Sequence, residues 1–241
     1  MNLLAIDSSA SVFSAAVCSG EKIFSIEKEA VMKQTEFAMD IIGSVMKKAS
    51  LLPRDLQGVL CTGGPGSFTG LRIGYSIAKS LALCLSIPFV PVPTLDCIAA
   101  AIFNHEENKN IIIMPVIQAR KNSFFFTFFR GNERFTGVIE DSPLEIYEEI
   151  KWINKSLPKK IIITGSASDL LYSLLPEKSG IVSIFNPEGA SFAKEALAIA
   201  KIKKLMDNDN TAYLYSGPEY FRLTDAEAEL ALRGKRHELH D

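Results

Sequence analysis

Hydrophobic and polar positions change period in a set order along the first hundred residues. "NLLAID" (2–7) is a continuous apolar run ending at Asp7, as expected of a buried strand. In "SVFSAAVCSG", Val12, Ser14, Ala16 and Cys18 alternate with Phe13, Ala15 and Val17, which predicts a strand covered on both faces. Ser19 and Gly20 make a turn, and "EKIFSIEKEA" follows, so an antiparallel three-strand meander is expected. Over 35–50 the period becomes helical: Ala38, Ile41, Ile42, Val45 and Ala49 recur at three and four. Phe37, Met39 and Met46 widen that stripe beyond one packing face, and Pro53 ends the segment. A compact strand (58–63), a long apolar helix (67–85) and another strand (87–92) complete the block. Helices alternating with strands imply parallel pairing through right-handed crossovers.

A second block begins at Thr94. "TLDCIAAAIF" is helical by period, 104–110 is a charged loop, and "IIIMPVIQA" and "SFFFTFFR" read as strands joined by a turn at "RKN". Asp141 or Ser142 caps a helix that has Pro143 and Glu145 in its first turn. "KKIIITG" is a strand, and "ASFAKEALAIAKIKKL" is a helix with lysines toward its negative end. The expectation is an α/β protein of two similar halves, 1–93 and 94–241, with the 190–205 helix able to pack back on the first.

The stretch "CTGGPGSFTGLRIGYSIAKSLALCL" (61–85) joins a glycine loop to a helix. No lysine follows the glycines, so the P-loop pattern fails; the glycine spacing and the missing acidic residue also break the dinucleotide pattern. A turn at Pro65 and Gly66 with Ser67 as helix cap accounts for the loop, although free amides at a helix start can still hold an anion. In the helix, Gly70, Gly74, Ala78 and Ala82 stand four apart and share one face. Two glycines inside a helix cost roughly 1 kcal/mol each relative to alanine, so close approach of another backbone is expected along that ridge. Leu71, Ile73, Ile77, Leu81 and Leu85 add bulk elsewhere, leaving Arg72, Ser76 and Lys79 as a narrow polar strip. Two helices this apolar, side by side, predict either a private core or a face shared with a second protein.

Composition narrows the classes. A net charge of -2 over 241 residues gives no field toward nucleic acid or acidic membrane. Cys18, Cys61, Cys84 and Cys97 form no CxxC pair and sit in apolar runs, as buried thiols in a reducing compartment would. The apolar run 73–90 carries Lys79, Ser80, Ser86 and Pro88, unsuited to a membrane span. A cytoplasmic protein is expected. His105, His237 and His240 are the only histidines, and "HELHD" lies in a charged tail. No HExxH and no GxSxG elbow occur. Phe124, Phe126 and Phe128 fit a buried strand rather than base stacking, and Asp7 beside "SSAS" fits a side-chain-capped turn or a metal-orienting carboxylate.

"LLAIDSSASVFSAAV", "GGPGSFTGLRIGYSIAKSLA" and "PEYFRLTDAE" resemble the TsaB family, the dimerisation subunits of the bacterial tRNA threonylcarbamoyladenosine machinery. The resemblance implies an actin/sugar-kinase-like (ASKHA) fold of two RNase-H-like lobes, each a mixed sheet flanked by helices. It implies a pseudo-enzyme paralogue of TsaD without catalytic residues, resident metal or cofactor; ATP or ADP with magnesium would bind weakly or at the partner interface. TsaD holds a metal through two histidines on its first helix, while "KQTEFAMD" has none, and Gln34 stands where many relatives carry histidine. The double glycine that binds adenosine in this fold appears only as Gly165, Ser166 and Ala167. Implied partners are a TsaD-like paralogue, a TsaE-like ATPase and, alone, a second copy, with tRNA met only through the complex and no membrane. The implied docking residues are Phe37, Ala38, Ile41, Ile42, Val45, Gly70, Leu71, Gly74, Ile77 and Ala78. The alternative is a small-molecule kinase or nucleotide-binding protein of the same fold, with Asp7, Ser8, Gly64, Gly66 and Ser67 as a vestigial phosphate cradle.

Overall fold

The computed structural model describes residues 1–29, 34–103, 111–156, 160–178, 181–185, 192–202, 206 and 211–221. The 104–110 loop, the three histidines, the tail from Arg233 and the side chain of Gln34 lie outside the described residues.

The meander forms as its alternation predicts. β1 (Asn2–Asp7), β2 (Val12–Ser19) and β3 (Lys22–Glu29) pair antiparallel, and β4 (Gly58–Thr62) and β5 (Phe89–Val92) extend the sheet in parallel, in the order β3-β2-β1-β4-β5. Successive β1 side chains face opposite sides. Leu4 and Ile6 point into a core covered by α1 (Gln34–Lys48) and α2 (Phe68–Leu85). Leu3 and Ala5 point into a core covered by α3 (Thr94–Phe103) and α6 (Ala193–Ile202). The last described α-helix thus closes the first sheet, 185 residues from the strand end it touches.

The second sheet runs β10-β7-β6-β11-β12, with β8 on β6 and β9 on β8. Its strands are β6 (Ile111–Arg120), β7 (Ser123–Phe126), β8 (Phe129–Arg130), β9 (Glu133–Arg134), β10 (Ile139–Asp141), β11 (Lys160–Thr164) and β12 (Ile181–Phe185). "SFFFTFFR" is therefore two strands. The ladder breaks at Thr127, whose hydroxyl turns to the Thr136 carbonyl (3.0 Å) while the Thr136 hydroxyl accepts from the Phe128 amide (2.9 Å). α4 (Pro143–Ser156) and the short α5 (Ser168–Leu174) cover one face. Ser142 is the α4 cap: its amide and hydroxyl both donate to Glu145, at 3.0 and 2.8 Å. Cys18, Cys61 and Cys97 are buried, but Cys84 is exposed on the outer side of α2, against expectation.

β5 is a sheet edge, and edges invite unwanted pairing. Pro91 removes one donor from it, and a 3₁₀ turn at Thr211–Leu214 packs beside it, with Leu214 entering the core under α1 and α2.

Candidate functional site: the glycine loop and an exposed helix face

Asp7 ends β1 fully buried, and its carboxylate is saturated from within the chain. Oδ1 accepts from the Ser9 amide (3.0 Å), the Ser9 hydroxyl (2.7 Å) and the Thr62 hydroxyl (2.7 Å). Oδ2 accepts from the Phe192 amide (2.9 Å), one residue before α6, so Asp7 also caps that helix from a distance.

Three amides of the glycine loop also hold internal partners, while Gly66 and Ser67 are exposed. The Gly63 amide donates to Val92 (2.7 Å), the Gly64 amide to the Thr94 hydroxyl (3.2 Å) and the Ser67 amide to Ser9 (2.7 Å). A Cβ on Gly66 would sit 2.7 Å from the Ser9 carbonyl, and one on Gly64, at φ +112°, would sit 2.5 Å from the Glu219 carbonyl. Ser67 caps α2 by accepting from the Gly70 amide (3.2 Å), and the buried Ser8 hydroxyl donates to the Gly70 carbonyl (2.8 Å). The structure thus gathers Asp7, Ser8, Gly64, Gly66 and Ser67 at one place, and Asp7, Ser8, Gly64 and Ser67 take hydrogen-bond partners from Ser9, Thr62, Gly70, Thr94 and Phe192. Among the described residues no three His, Cys, Asp or Glu side chains group as metal ligands would, and no helix is long and apolar enough to cross a membrane.

The small-residue ridge, expected to let another backbone approach closely, faces the chain's own sheet. Gly70, Gly74, Ala78 and Ala82 are buried on the chain's own sheet. A Cβ on Gly74 would lie 2.2 Å from Ser8 Oγ and 3.0 Å from Cys61 Sγ, so the glycine makes room for the β1 end and β4. Ala38, Ile41, Ile42, Val45 and Leu71 are buried too. Of the residues nominated for docking, only Phe37 and Ile77 keep partial exposure.

The polar strip of α2 binds the chain's own later segment. Lys79 Nζ donates to the Leu214 carbonyl (3.0 Å) and to the Ser216 carbonyl. Arg72 Nε donates to the Tyr220 hydroxyl (3.0 Å), the Tyr220 ring lies 4.7 Å from the Phe68 ring, and the Glu219 amide donates to Gly63 (2.9 Å). The sequence motifs "GSFTGLR" and "PEYF" are therefore mutual partners.

Among the described residues, the outer side of both helices is exposed. Met39 is 56% exposed on α1, with Gly43 and Ser44 beside it, and Leu83 is 60% exposed on α2, with Ser76 and Ser80 beside it. Between α1, the 50–56 loop and α2 lies an apolar groove of about 470 Å³, lined by Met39, Ile42, Met46, Leu51, Leu52 and Leu81 among others. Gly43 borders it, and a Cβ there would meet nothing within 4 Å. An unforced mid-helix glycine costs about 1 kcal/mol relative to alanine. The signal that marks this face was present in the sequence, at Gly43 and Met39, but the glycines of α2 drew it elsewhere.

Two packed lobes, the first sheet ordered β3-β2-β1-β4-β5 with helices on both faces, define an actin/sugar-kinase-like α/β protein. The ROK hexokinase of Thermus thermophilus shares that plan, with a TM-score of 0.50 and 10% identity over 84% of this chain and 100% of that one. A Pseudomonas aeruginosa structure described as similar to peptidase YeaZ aligns at a TM-score of 0.76 and 17% identity, covering 92% of this chain and 99% of that one. A family model described as "TsaD: tRNA N6-adenosine threonylcarbamoyltransferase" matches residues 28–235. The tRNA threonylcarbamoyladenosine biosynthesis protein TsaB of Buchnera aphidicola subsp. Schizaphis graminum is 32% identical over 68% of this chain and 77% of its own. The chain belongs to the TsaB family.

Proposed function

We propose that this protein is a non-catalytic subunit in tRNA threonylcarbamoyladenosine synthesis. It docks a TsaD-like threonylcarbamoyltransferase through the outer faces of α1 and α2. A TsaE-like ATPase joins the assembly, tRNA is met only by the complex, and the work is cytoplasmic. In the absence of the transferase a second copy occupies the same face.

The observation that carries this reading is Gly43: an exposed helix glycine beside an apolar groove, where among the described residues a Cβ would meet nothing within 4 Å. Glu36 and Asp40 near one end of α1, and Lys47 and Lys48 at the other, add self-complementarity. Two such helices packed antiparallel would set carboxylates against ammonium groups, as a two-fold interface requires. A kinase reading has less support, because the Asp7 carboxylate and the loop amides of Gly63, Gly64 and Ser67 already hold internal partners.

Gly43→Trp tests the proposal without disturbing the core, since its side chain starts in open space. Titration calorimetry against the purified transferase of the same organism should show affinity reduced at least about tenfold. The melting temperature should hold or rise, because a helix glycine is removed. Unchanged affinity would overturn the reading.

A further inference from the structure

Residues 211–221 run along α2 and are fixed to it at two places. At one, Lys79 holds the carbonyls of Leu214 and Ser216 while the Leu214 side chain enters the core. At the other, Tyr220 lies on Phe68 and accepts from Arg72, and the Glu219 amide binds Gly63. Between the two carbonyls that Lys79 holds sits Tyr215, whose side chain is 90% exposed. Among the described residues no hydrogen bond or ring contact engages that ring, yet its backbone is pinned from both sides.

The pinning places Tyr215 beside the open face. Lys79 and Leu83 are one helical turn apart on α2, and Ser76 and Ser80 lie between them and the α1 side. The outer face made by Ile73, Ser76, Ser80 and Leu83 bears no charge, and the one ammonium at its border is turned to the two carbonyls. Burial holds Lys79 below the ordinary lysine value, in keeping with a cation withdrawn from solvent. Charge-poor faces with a tyrosine at the rim match interface composition. A ring on a fixed backbone also loses less freedom on association than one on a loose tail.

We propose that Tyr215 is an anchor for the partner that docks on α1 and α2, so that the docking face has three walls: α1, α2 and the 211–216 segment. This rests on the function proposed above and adds a specificity element to that surface. The partner surface opposite Tyr215 is a shallow apolar recess with a hydrogen-bonding group at its edge. Lys79 acts as a positioning residue, through the two carbonyls it holds.

The test uses the full chain and the purified transferase, with affinity from calorimetry and stability from thermal melts. Tyr215→Ala should weaken association about thirtyfold, the range of an interface hot spot, with an unchanged melting temperature. Tyr215→Phe should recover most of the loss, and Lys79→Met should reproduce the weakening with Tyr215 intact. Leu83→Asp serves as the separate probe of the helix face. If Leu83→Asp weakens binding and Tyr215→Ala binds like the parent, the anchor is overturned and the docking reading stands. If both bind like the parent, the docking reading falls as well.

Discussion

Asp7 and Glu195 meet the same end of α6 in opposite circumstances. Asp7 is buried with four hydrogen bonds to its carboxylate. Glu195, in the first turn, has a buried Oε2 with no hydrogen-bond partner. Burial raises its pKa above the ordinary glutamate value of 4.5, with Asp7 and Glu27 adding repulsion. A carboxyl so raised favours the fold when neutral. Its contribution is full below the ordinary value and is lost as pH climbs through the raised one. At neutral pH the ionised group therefore carries a desolvation penalty. Glu195→Gln should raise stability at pH 7 by about 0.5–2 kcal/mol. In melts repeated across pH, the advantage should shrink to nothing below pH 4.5, the ordinary glutamate value. An advantage constant with pH would assign the effect to packing instead.

At the scale of elements, α2 carries most of the lesson. Gly74→Ala gains helix propensity but forces a Cβ to within 2.2 Å of Ser8 Oγ, a hydroxyl held by Gly70. Overpacking of this kind costs about 1–3 kcal/mol, so a net loss is expected in denaturant titration. Adding Ser8→Gly should return part of it. The sequence made the ridge visible, since a spacing of four names which residues share a face. It could not say what lies opposite, because Ser8 and Cys61 arrive from β1 and β4 by tertiary packing. The cover over Arg72 and Lys79 comes from residues more than 130 positions later, beyond any window of periodicity. Long elements such as α1, α2 and the meander were legible by period. β8, β9 and β10 were not, because two or three residues carry no alternation to read. The seven-residue α5 was missed for a similar reason. The exposed face was half legible: Met39 stood out as surplus to the α1 stripe, whereas Tyr215 shows no pattern at all.

Across the whole molecule, the two sheets share α3. Its Leu95, Cys97 and Ile98 pack with the first sheet, and its Ala99 and Ile102 pack with Ile111, Phe129 and Ile162 of the second. The 211–221 segment adds a second link, with Tyr220 on Phe68 and the Phe221 ring 6.1 Å from that of Phe125 on β7. Tyr220→Ala with Phe221→Ala should speed hydrogen exchange at the Glu219 amide and along 214–221, while amides of β1 exchange as before. Slower or unchanged exchange at Glu219 would deny that the aromatic pair holds the link.

The placement of α6 has a consequence for the order of synthesis. Leu3, Ala5, Ala16 and Cys18 share their core with Ala193, Ala196 and Leu197. A ribosome must pass Ala193 before that cover exists. Until then the emerging amino-terminal lobe shows one greasy side to its surroundings, and that interval is when the young polypeptide depends most on cellular helpers.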